Sequence, residues 1–101
     1  MNIKFFYLYR DAGNYKNYNN IIFSNPNNIS VEQLENSIRN SLIEGLWFDA
    51  IKWRMPDLHF KEYEWNNELD HCWHEFGQLK ETTEKPTTET TIDMFLTSIL
   101  K

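Results

Sequence analysis

The run Ile3-Lys4-Phe5-Phe6-Tyr7-Leu8-Tyr9 constrains the fold more than any other segment of this chain. Its β-branched and aromatic residues fall on both alternating sets, Ile3/Phe5/Tyr7/Tyr9 and Phe6/Leu8. A strand with apolar side chains on both faces belongs in the middle of a sheet. Turn residues follow at Asp11-Ala12-Gly13-Asn14, and Asn20 to Ser24 reads as a second short strand, closed by Asn25-Pro26-Asn27-Asn28. A hairpin with a long tip results.

Ser30, with Gln33 three residues on, forms a capping box, and Ile29 and Leu34 occupy the places of a hydrophobic staple, so the first helix starts at Val31. Val31, Leu34, Ile38, Leu42 and Leu46 form its apolar stripe. Glu32, Glu35, Asn36, Arg39 and Asn40 fill the other side, and Gly45 lies near the end. Trp47 to Pro56 reads as an aromatic-rich connector. Leu58 to Trp65 alternates as a third strand.

The segment from Leu69 to Leu79 supports two periods. Leu69, Cys72/Trp73, Phe76 and Leu79 match a helical stripe, whereas Gly77, Thr82, Thr83 and a hairpin partner upstream favour a strand; the strand is the preferred reading. Glu81 to Thr90 is a polar loop, and Thr90 caps a last helix with Ile92, Phe95, Leu96, Ile99 and Leu100 on one face. The expected fold is therefore a single α+β domain over residues 1–101. It has a small antiparallel four-stranded sheet in ββαββα order, with two helices on one face and the other face open.

At 101 residues the chain has the length of one domain. A single cysteine excludes an internal disulfide and fits the cytoplasm. The apolar run at the N-terminus is too short for a signal peptide, and no segment reaches membrane-spanning length. A net charge of -5 and the scatter of Lys and Arg argue against double-stranded nucleic acid as a partner.

Asp70-His71-Cys72-Trp73-His74-Glu75 concentrates chemistry-bearing side chains. As a helix it would place His71 and His74 on one face beside Glu75 or Asp70, a metal site for a metal-dependent enzyme, whereas as a strand it would offer Cys72 and His74 with His59 from a neighbouring strand as a softer site. The order His-x-x-His-Glu matches no zinc-protease signature. As a strand it sets Cys72 and His74 on one face, a pair with nucleophile and base chemistry. The plainer explanation is packing: a small buried thiol and a histidine held by a backbone or carboxylate partner.

Aromatic residues make up 16% of the chain, more than a small core absorbs. Two binding surfaces follow. In the preferred one the chain is a non-enzymatic binding protein with a protein partner: Trp65 and Trp73 are anchors, Tyr15 and Tyr18 loop contacts, and Asp70 and Glu75 an acidic rim that orients a basic group. In the second, Tyr9, Arg10, Trp53 and Arg54 hold a nucleotide-like small signal by stacking and guanidinium contact. Neither needs a cofactor. An open sheet face also admits a homodimer.

Several segments together resemble a family of short bacterial proteins with no established activity. They are Phe5 to Asn17, Phe23-Ser24-Asn25-Pro26, Phe48-Asp49-Ala50 with Trp53 and Pro56, and Leu69-Asp70-His71 with Trp73-His74-Glu75-Phe76. The resemblance covers nearly the whole chain. It implies a bacterial or phage setting and assigns no role to any residue.

Overall fold

The structure is a computed structural model, which describes residues 1–10, 16–50, 52–55 and 73–99. Its elements are β1 (Asn2–Arg10), β2 (Lys16–Phe23), α1 (Val31–Ser41), β3 (Trp47–Asp49), β4 (Trp73–Thr82) and α2 (Ile92–Ile99). This is the expected α+β fold in ββαββα order. The strands form one antiparallel sheet in the order β2-β1-β4-β3.

β1 occupies the central position its sequence demands. Ile3, Phe5, Tyr7 and Tyr9 are fully buried, while the alternate set is half-buried. The buried set faces both helices through Leu34 and Ile38 of α1 and Ile92, Phe95 and Ile99 of α2. Phe5 is the hub of this core, its ring lying 5.1 to 6.4 Å from those of Tyr7, Phe23, Phe48, Phe76 and Phe95. Tilted and edge-on arrangements dominate, as the ring quadrupole favours.

α1 begins as its capping signal requires, with Ser30 Oγ accepting from the Gln33 N–H at 3.2 Å. It ends earlier than the Leu34-to-Leu46 stripe predicts. Leu42 turns extended as the C-cap, and Glu44 and Gly45 adopt left-handed backbone at φ 54° and 72°. They reverse the chain so that Ile43 and Trp47 exchange backbone hydrogen bonds of 2.7 and 3.1 Å. Leu46 consequently leaves the stripe and stands half exposed.

The connector predicted from Trp47 to Pro56 contains β3. A three-residue strand is too short to show alternation, and only Phe48, buried between half-exposed Trp47 and Asp49, marks it. The strand predicted at 58–65 lies outside the described residues. The helix cap also moves: Thr91 Oγ1, not Thr90, accepts from the Met94 N–H.

β4 explains the double period of its segment. The register against β1 shifts between Phe6 and Tyr7, so that Gln78 pairs with Phe6 and Phe76 with Tyr7, leaving Gly77 as the extra residue of a bulge. A regular strand sends residues three apart to opposite faces. The bulge returns both Phe76 and Leu79 to the core, which is the spacing that imitates a helix. Glycine suits that place, because a Cβ would lie a tight 3.0 Å from the Phe6 carbonyl oxygen.

Candidate functional site: the helix-free sheet face and the edge of β2

With both described helices on one side, the even-numbered residues of β1 define the opposite face, which no helix among the described residues covers. Among the described residues only the segment around Glu84 crosses it, at one end. Glu84 pairs with Lys4 Nζ at 2.9 Å, and its carbonyl accepts from Asn2 Nδ2 at 2.9 Å. Lys4 lowers the Glu84 carboxyl below its ordinary range, first through that hydrogen bond, with the Thr82 hydroxyl adding to the effect. Beyond Glu84 the chain wraps around the outer edge of β2. There the Thr87 N–H donates to the Ile22 carbonyl, and Thr87 Oγ1 accepts from the Ile22 N–H, both at 2.9 Å. Ile22, although it points away from the helices, is thereby buried.

The remainder of this face is organised by register. Tyr18 pairs with Leu8, Leu8 with Glu75, and Glu75 with Trp47, so one row of side chains crosses all four strands. Neighbouring strands lie about 4.8 Å apart, making the row roughly 14 Å long. Tyr18 is 67% exposed. Beside it a depression of about 350 Å³ opens between Phe6, Leu8, Tyr18 and the Gly77-Gln78 bulge. Arg10 Nε bonds Glu75 Oε2 at 3.0 Å, and Lys4 and Lys80 stand over the Phe6 ring at 5.5 and 6.0 Å.

Of the residues expected to bind a protein partner, Tyr18 and Glu75 meet in this row. Trp73 supplies the strand partner of Asp49 one step along β4. Tyr15, Trp65 and Asp70 lie outside the described residues. Of the expected acidic rim, Glu75 stands on this face and Asp70 lies outside the described residues; the described charges around the row are Lys4, Arg10, Lys16, Lys80, Asp49, Glu75 and Glu84. Sequence reasoning missed Phe6 and Leu8 as residues of this face. The signal was present, because a central strand that is apolar on both sides, with helices for only one, leaves its second side for another use.

The Tyr9, Arg10, Trp53 and Arg54 grouping does not form. Tyr9 is buried on the helix side, 5.2 Å from the His74 ring, whereas Arg10 lies on the opposite face. Trp53 stacks on Phe48 at 4.5 Å and Arg54 is exposed beside it. Of the metal grouping, His74 is wholly buried, with the rings of Tyr7, Tyr9 and Phe48 around it. His59, His71 and Cys72 lie outside the described residues. Among the described residues no His, Cys, Asp and Glu cluster could hold a metal ion.

Trp53 and Arg54 instead border a second cavity of about 470 Å³ on the helix side of β2. Ile21, Phe23 and Phe95 form its apolar floor, Met94 and Ser98 of α2 one wall, and Thr87, Thr88 and Thr90 the other. The turn carrying Arg54 has the bond pattern of a helix end: the Met55 N–H donates to Ala50 O at 2.8 Å and the Trp53 N–H to Asp49 O at 3.0 Å. Arg54 takes the left-handed position, φ 57°, where glycine is the usual occupant.

No helix among the described residues is long and apolar enough to cross a membrane. The chain matches no protein-family model, no curated protein and no solved structure.

Proposed function

We propose that this chain is a small, non-enzymatic binding protein of the bacterial or phage-infected cytoplasm that engages a protein partner through its helix-free sheet face. The row Tyr18–Leu8–Glu75–Trp47 carries the reading. It joins an exposed tyrosine, a depression beside it and a half-buried arginine–carboxylate pair, the side-chain types from which interface hot spots are built. The sheet fixes their spacing before contact, which lowers the ordering cost of association. Lys16 and Lys80 favour a partner that presents an acidic group beside an apolar patch.

The test replaces Tyr18 with a photo-crosslinking phenylalanine derivative in cells that make the protein naturally, and compares it with the same group at exposed Glu32 on α1. A discrete adduct at position 18, absent at 32 and abolished by Leu8→Glu, is expected. An adduct insensitive to Leu8→Glu, or equal labelling at both positions, overturns the reading. An adduct of twice the chain mass would identify the partner as a second copy.

A further inference from the structure

The outer edge of β2 carries backbone groups that a crossing segment can bond, and at Ile22 the chain's own Thr87 takes both, the C=O with its N–H and the N–H with its side-chain hydroxyl. In an antiparallel strand alternate residues send these groups to the same side, so Asn20 and Tyr18 present theirs outward along the same edge. Among the described residues nothing bonds them there. Asn20 also borders the 470 Å³ cavity, whose floor of Ile21, Phe23 and Phe95 lies between this edge and α2. Donor and acceptor groups of unused edge backbone thus stand beside a cavity with an apolar floor and room for a side chain.

Arg54 supplies the third element. It borders the same cavity, no acidic group among the described residues pairs with it, and its left-handed backbone is one that most L-residues avoid. Glycine would relieve the turn, and arginine in its place sets a positive charge at the rim of the cavity.

We infer that the groove between the edge of β2 and α2 binds an extended peptide segment by strand addition. The peptide backbone pairs with Asn20 and Tyr18, one apolar side chain enters the pocket against Phe23 and Phe95, and an acidic side chain meets Arg54. This site lies around the edge of β2 from the Leu8 row and rests on separate observations. Only the backbone of Tyr18 belongs to it.

A phage-displayed library of random heptapeptides, selected against the immobilised full chain, tests the assignment. Enriched peptides should share an apolar residue near an Asp or Glu. A synthetic enriched peptide should lose affinity at least about tenfold toward Asn20→Pro. Proline removes the outward N–H while no ladder bond within the sheet depends on it, so the edge strand can accept it. Methylating the peptide's own edge-facing nitrogen should cost as much, and this arm decides the matter if Asn20→Pro fails to fold. Arg54→Gly should weaken binding several-fold and flatten its salt dependence. Tyr18→Ala should leave peptide binding within twofold, separating this groove from the helix-free face. No enriched sequence, or peptides that bind wild type and Asn20→Pro equally and tolerate N-methylation, overturns the inference.

Discussion

Replacing Arg54 by glycine should make the protein more stable while weakening its peptide groove. Holding an L-residue in the left-handed region costs about 1–2 kcal/mol, and Arg54 sits there at φ 57°. Glycine removes that cost but gives the unfolded chain more freedom, returning about 0.4–1 kcal/mol. The net gain is roughly 0.5–1 kcal/mol. For a domain of this size 1 kcal/mol moves Tm by about 4–8 °C, so a rise of about 2–8 °C is expected. Thermal unfolding followed by circular dichroism at matched concentration reads it. The turn's bonds from Met55 to Ala50 and from Trp53 to Asp49 use backbone only, so they survive the substitution. A Tm that falls would refute the reasoning, because it would show that the Arg54 side chain stabilises the fold and needs no ligand to explain it. Arg54→Ala separates the contributions: it removes the charge and keeps most of the backbone strain, so its Tm should stay below that of the glycine variant.

Gly77→Ala should lower Tm, since its Cβ would meet the Phe6 carbonyl at 3.0 Å and overpacking of this kind costs about 1–3 kcal/mol; an unchanged Tm would mean that the bulge relaxes freely. Glu84 has a lowered folded pKa, so its contribution is present above the unfolded carboxyl pKa and is lost as pH falls through the folded value. Glu84→Gln should therefore flatten the acid side of the stability profile slightly and leave it unchanged in shape near neutrality, as equilibrium denaturation across pH would show.

The sequence made some of this fold legible because the deciding interactions are local. Ser30 and Gln33 cap α1 within one turn, and the two-sided apolar pattern of Ile3 to Tyr9 needs only its own alternation to place β1 centrally. Other features depend on residues far apart. The spacing of Phe76 and Leu79 misleads until β1 supplies the register that makes Gly77 a bulge. β3 has three residues and acquires its identity from pairing with β4. The cover on Ile22 comes from Thr87, sixty-five positions away.

The candidate site divides in the same way. Tyr18 and Glu75 could be nominated as an aromatic and an acid in polar surroundings, but their common row exists only once four strands align. Arg54 could be nominated as a cation beside Trp53. Its left-handed turn could not, because no glycine marks the position. Tyr9 and His74 look like surface chemistry in one dimension and become core when β1 and β4 pair with their odd and even residues facing the same helices.

The central claim concerns which side of the sheet the partner occupies, and hydroxyl-radical footprinting of the chain with the protein captured at Tyr18 tests it most directly. Tyr18 on β2 and Met94 on α2 are comparably exposed, at 67% and 57%, on opposite sides of the sheet, so the free protein provides its own control. Oxidation of Tyr18 should fall at least about fivefold on complex formation, the protection expected of a buried hot-spot ring, with Met94 reacting as before. Protection of Met94 with Tyr18 still reactive would contradict the account and move the interface to the helix side.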